Sequence, residues 1–190
     1  PERASTLLAL AHLLALPPAL AAVERLGRRP LLLVSWAGMA ACYALATGCL
    51  LWLRFGGLDG GVAVAASGAA PDADVSPLTL ALRALVTASL AGVLAFFALG
   101  PGTTAWCVIA EIVPPHARNA AMAVGIALNW IGNVAVGLAF PWMLRLLGPA
   151  ALGVFALLSL VFCVFTHRCV PETKDRSLAD VAREIAAGGG

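Results

Sequence analysis

Residues 31–53 contain no Asp, Glu, Lys or Arg, and the same is true of 84–110, 119–144 and 146–167. An α-helix rises about 1.5 Å per residue, so about 20 apolar residues are enough to cross a hydrocarbon core of about 30 Å. Each run is long enough to do so. The chain is 61% hydrophobic and 12% charged, with a mean hydropathy of +0.93, whereas a soluble domain has roughly a quarter of its residues charged. A water-soluble fold of this size could not cover so much apolar surface. The expectation is an all-α membrane protein whose main partner is the lipid bilayer.

The formal net charge of +2 points to no nucleic-acid partner; in a membrane protein only its distribution between loops is informative. Cys42, Cys49, Cys107 and Cys163 fall inside apolar runs and Cys169 ends one, with no CxxC spacing. Neither a disulfide framework, a metal site nor a cofactor is indicated. His12, His116 and His167 are far apart in sequence and no nucleophile–base–acid set is present, so an enzyme is not expected.

Five spans are expected, at about 4–23, 31–53, 78–112, 119–143 and 149–167. They make a transmembrane bundle over 1–168, with a Gly/Ala-rich loop at 55–77 and a polar tail at 169–190. The first span is too long, and with Pro17-Pro18 inside it too interrupted, for a signal peptide. The chain starts at Pro1 without a methionine and reads as a fragment of something longer. Alternating the connections puts Arg25, Arg28, Arg29, Arg118, Arg168, Lys174, Arg176 and Arg183 on one side. Arg3, Arg54, Arg145 and, at a span edge, Arg83 fall on the other. The positive-inside bias places the first group and the tail in the cytoplasm, and the N-terminus and the 55–77 loop outside.

The third span, about 35 residues long, contains Gly100-Pro101-Gly102. Proline removes a backbone donor and the glycines add flexible joints, so a continuous helix is not expected there. Such a break either lines a substrate path or is a packing kink. The fourth span holds Asn129 and Asn133, four residues apart on one helix face with Trp130 beside them. Amides in hydrocarbon need partners, either a neighbouring helix or a polar ligand in a wet cavity. Counted from Asn119, Asn129 lies about 15 Å deep, near the midplane where transporter sites cluster.

The segments "ERLGRRP", "GPGTTAWCVIAEI" with Arg118 seven residues after Glu111, "NWIGN" and "VPETKDRSL" occur in the order and spacing of one family. The chain resembles the C-terminal half, helices 8 to 12, of a sugar porter of the major facilitator superfamily, most closely the facilitative hexose transporters. The resemblance runs from about Leu16 to Ile185 and implies a hexose substrate, a missing N-terminal half of the same transporter, and a plasma-membrane location. It implies that Trp106 stacks on sugar and that Asn129, with Asn133 beside it, contacts sugar. It also implies that Glu24, Arg28, Arg29, Glu111, Arg118 and Glu172 form a cytoplasmic charge network holding the inner gate closed.

Where glucose-type members have a glutamate and two further prolines, this chain has Ala98, Thr103 and Ala105. Ala98 and Phe140-Pro141 are more similar to the fructose branch, Trp106 and Asn129 to the glucose branch, so which hexose stays open. The expected function is part of an alternating-access hexose carrier working by facilitated diffusion. A proton-coupled symporter, a non-transporting sugar sensor or a truncated product on the same scaffold are the alternatives. In the tail, Ser177 and Asp180 resemble a capping box ahead of Leu178, Val181, Ala182 and Ile185 on one face, which predicts a short amphipathic helix.

Overall fold

The computed structural model describes residues 27–56, 76–174 and 176. The first expected span at 4–23, Glu24, most of the 55–77 loop and the tail helix at 177–186 lie outside the described residues. Within them the chain forms α1 (Arg28–Phe55), α2 (Pro77–Leu99), α3 (Pro101–Ile112), α4 (Arg118–Leu147), a 3-10 turn at Gly148–Ala150 and α5 (Ala151–Cys169).

Helix ends follow local chemistry. α2 opens at Ser76, whose hydroxyl accepts the Thr79 N–H at 3.3 Å, and Pro77 takes the first helical position, where its missing donor costs nothing. α4 runs for 30 residues despite Pro141 and stops at Gly148, which has a φ of 57°. The Arg54 guanidinium lies so close to Gly148 that a Cβ there would collide with it. The left-handed φ calls for glycine, whereas the Arg54 guanidinium, at the end of a flexible side chain, can move aside.

Among the described residues three helical stretches are long and apolar enough to cross a membrane: Arg28–Phe55, Pro77–Ile112 and Arg118–Cys169. The second is divided at Gly100 into α2 and α3. The third comprises α4 and α5, separated by the turn at Gly148–Ala150.

α1 is the centre of the bundle and packs along both α2 and α5. Small residues let α1 and α2 approach closely, as they do in membrane bundles where burial alone gives helices little reason to associate. Gly38 faces the Phe96 ring, and a Cβ on Gly92 would lie 2.9 Å from the Cys42 sulfur. Nearer the Phe55 end, Cys49, Leu50, Leu53 and Val86 are buried together, with Leu82, Leu90 and Leu152 packed around them. On the α5 side Trp36 stacks on Phe162 with centroids 5.0 Å apart, and Tyr43 meets Phe155 at 5.8 Å.

α4 differs from the rest. It touches α3 and the start of α5, and none of its residues is buried. Leu128, Trp130, Ile131, Val134 and Leu138 all stand outward.

Candidate functional site

The expected site residues fall in two places, one at the α1 N-terminal rim and one around the break between α2 and α3. At the rim, Glu172 reaches the start of α1 from the other end of the described chain. Its Oε1 accepts the backbone N–H of Arg28 at 3.0 Å and of Lys174 at 2.9 Å, and its Oε2 accepts that of Arg29 at 3.2 Å. A helix leaves its first N–H groups unpaired inside the helix. Here Arg28 and Arg29 give theirs to the carboxylate and Pro30 has none to give. Gly27 makes room, with a φ of 88° and a position where a Cβ would lie 2.8 Å from Glu172 Oε2. Partial burial acts to raise the Glu172 pKa, but the backbone donors of Lys174, Arg28, Arg29 and Thr173 together hold it below the usual carboxylate value.

Glu111, in the last turn of α3, completes the rim. Its Oε1 pairs with Arg28 Nη2 at 2.7 Å and its Oε2 accepts the Thr173 hydroxyl at 2.5 Å. One carboxylate thus ties α3 both to α1 and to the segment after α5. Arg29 Nη2 donates to the His167 carbonyl near the C-terminus of α5, where a cation also complements the helix dipole. Arg118, the first residue of α4, stands outside this arrangement, its Nε buried without a hydrogen-bond partner among the described residues. Two participants were missed by sequence reasoning. Thr173 neighbours Glu172 in "PETK", which was a usable signal, whereas the His167 carbonyl leaves no trace in a sequence.

At the break, Gly100 ends α2 by donating to Phe96 O at 3.2 Å. Its own carbonyl accepts the N–H of Thr103 at 3.2 Å and of Thr104 at 2.8 Å as α3 begins. Pro101 sits at the first position of α3, and the Thr103 hydroxyl takes the Ala98 carbonyl at 3.1 Å. Proximity requires glycine at position 100 and leaves little room at 102. A Cβ on Gly100 would overlap Ser35 of α1, and one on Gly102 would lie 3.0 Å from the Phe97 carbonyl oxygen. The hydroxyls of Ser35 and Thr104 are fully buried with no hydrogen-bond partner among the described residues. Ala98 is also buried, so an acid at that position would have to enter a closed environment.

Trp106, half-buried on α3, faces the seam with α4, where its ring would lie 3.6 Å from a Cβ on Gly125. Asn129 follows one turn after Gly125 on the same side of α4. The Asn133 amide donates to the Asn129 carbonyl at 2.9 Å and to its Oδ1 at 3.2 Å, and both residues are exposed. The amide pair is preorganised by its own hydrogen bonds. Among the described residues no group of three His, Cys, Asp or Glu is placed to hold a metal ion.

The sequence model of the family described as "Sugar (and other) transporter" matches residues 4–185. The chain belongs to that family. Its relatives include a facilitated glucose transporter, member 1 of solute carrier family 2, from Gallus gallus, 34% identical over 88% of this chain and 29% of the relative. Member 4 from Homo sapiens is 34% identical over 84% of this chain and 27% of the relative. The chain thus spans less than a third of the length of these two proteins. The fold is also that of a solved sugar transporter, the xylose transporter XylE from E. coli in an inward open conformation. That structure gives a TM-score of 0.70 at 22% identity over 98% of this chain and 35% of the transporter. The chain is thus a multi-pass membrane protein of that family, and its described residues form an all-helical bundle with one helix broken at Gly100.

Proposed function

We propose that this chain is the C-terminal half of a hexose carrier that works by alternating access, with sugar bound against the exposed face of α4. One observation carries the reading. Asn129 and Asn133 form a hydrogen-bonded amide pair on a helix that buries none of its residues in this chain. Amides facing lipid are costly, so in a bilayer this face needs a wet cavity or a second bundle. A sugar's hydroxyls need such donors and acceptors together with an aromatic face, which Trp106 on the adjoining helix offers. The broken α2–α3 helix beside them fits a path through the bundle. The glucose-transporting names of the relatives support a hexose and facilitated diffusion.

In this reading a second bundle of the same transporter covers α4, and the two rock about the sugar. The Glu172–Arg28–Glu111 rim faces the cytoplasm of a plasma-membrane protein, as the excess of Arg and Lys on that side supports. Radiolabelled hexose uptake by the full-length protein in proteoliposomes tests the assignment. Asn129→Ala is expected to lose most uptake at equal surface expression. Native kinetics in that variant would make the amide pair helix glue, and the site would fall with it.

A further inference from the structure

Between α1 and α5 lies a groove of ≈ 580 Å³, apart from the sugar face and adjoining the rim network only at His167. Its floor is apolar, with Val34 and Ala37 from α1 and Cys163 and Val164 from α5. His167 and Arg168 close one end of it. Those two residues are in the last turn of α5, so the basic end lies at the rim and the floor runs inward beneath it. Ala37 is nine residues into α1, about 14 Å along the helix.

The charges at that end are unbalanced. Arg168 is exposed and has neither a hydrogen bond nor an ion pair among the described residues. The Arg29 guanidinium donates to the carbonyl of the preceding residue, His167, adding a second cation at this end and taking up part of the α5 terminus that would otherwise attract one. The nearby carboxylates are engaged elsewhere, Glu111 with Arg28 and Thr173, and Glu172 with backbone N–H groups. A greasy channel under an uncompensated guanidinium, set at a membrane border, matches a ligand with a hydrocarbon tail and an anionic phosphate head.

We infer that this groove is a binding site for an anionic glycerophospholipid, with one acyl chain lying along Val34, Ala37, Cys163 and Val164 and the headgroup phosphate held by Arg168. The His167 imidazole can add a donor, and Arg29 strengthens the local positive field. The inference rests on the reading that these helices cross a bilayer, but it is independent of where sugar binds.

Native mass spectrometry of the full-length protein, titrated with phosphatidylglycerol and with phosphatidylcholine of identical acyl chains, tests it. Phosphatidylglycerol should bind about fivefold more tightly, the preference expected from one cation near a membrane surface. Arg168→Gln should bring it to the phosphatidylcholine level, while Arg168→Lys should keep most of the preference. Ala37→Phe, which fills the floor, should weaken both lipids. Equal binding of the two lipids by the native protein would overturn the assignment, as would an unchanged preference in Arg168→Gln or unchanged binding in Ala37→Phe. Displacement of the lipid by soluble glycerol phosphate would also overturn it, since the site would then read a free phosphate. Sugar uptake by the Asn129 variant is a separate readout, so the two readings fail separately.

Discussion

Glu172 caps the first turn of α1, accepting the Arg28 N–H at 3.0 Å across 144 residues of chain. A carboxylate at a helix N-terminus both satisfies unpaired donors and complements the dipole, effects worth about 0.5–2 kcal/mol together in comparable settings. Its pKa is held below the usual carboxylate value by those backbone donors, so the sign follows directly. The stabilisation is fully present above the unfolded value and is lost as pH falls through the lower folded value. Glu172→Gln should lower the thermal midpoint of the detergent-solubilised transporter at neutral pH. The gap to the native protein should narrow below about pH 4.5. A gap of constant size across that range would rule out the charged cap.

The Arg28–Glu111 pair, at 2.7 Å and partly exposed, predicts a shift in population. Partly exposed pairs contribute about 0.2–1 kcal/mol. If the pair is made in the inward-closed state and lost in the other, Glu111→Gln should raise inward-open occupancy by up to about fivefold. Labelling of cysteines engineered into the cytoplasmic cavity measures this. Labelling rates equal to those of the parent would leave the pair a static brace.

The close approach of Gly100 and Ser35 predicts a steric effect. Gly100→Ala would force two helices apart at their tightest contact and should destabilise by about 1–3 kcal/mol. Adding Ser35→Gly removes the atoms in the way and should restore most of the loss. Failure of the double variant to recover would mean that the backbone at Gly100, rather than its neighbour, is what excludes a side chain.

The two asparagines should not be equivalent. Asn133 donates to Asn129 Oδ1 at 3.2 Å, so Asn133→Ala removes orientation while leaving the Asn129 amide in place. One lost hydrogen bond costs about 0.5–1.5 kcal/mol, a rise of about two- to twelvefold in the half-saturating hexose concentration. Asn129→Ala should cost more. Competition uptake in both variants orders them, and a larger effect at Asn133 would reverse the roles.

Much of the fold was legible because its causes are local. Runs without charge announce membrane helices, and Gly100-Pro101-Gly102 announces a break wherever it falls. The site was legible only in part. Glu172 could be assigned to a charge network by likeness, but its bonds are to backbone N–H groups 143 and 144 residues away, and no periodicity encodes that. Arg118 illustrates the converse, since the resemblance implied a place in the same network and its Nε has no hydrogen-bond partner among the described residues. Ala98 stands where glucose-type members have a glutamate, and its burial shows that the residue is also part of the packing at the break.

The cap on α1 also has a consequence in time. The ribosome makes α1 well before its cap, because the carboxylate that completes its first turn emerges 144 residues later, roughly 7 to 29 s at about 5–20 residues per second. During that interval the start of α1 must rely on water or headgroups for its unpaired donors. The rim is therefore completed only after α1 to α5 have all been made.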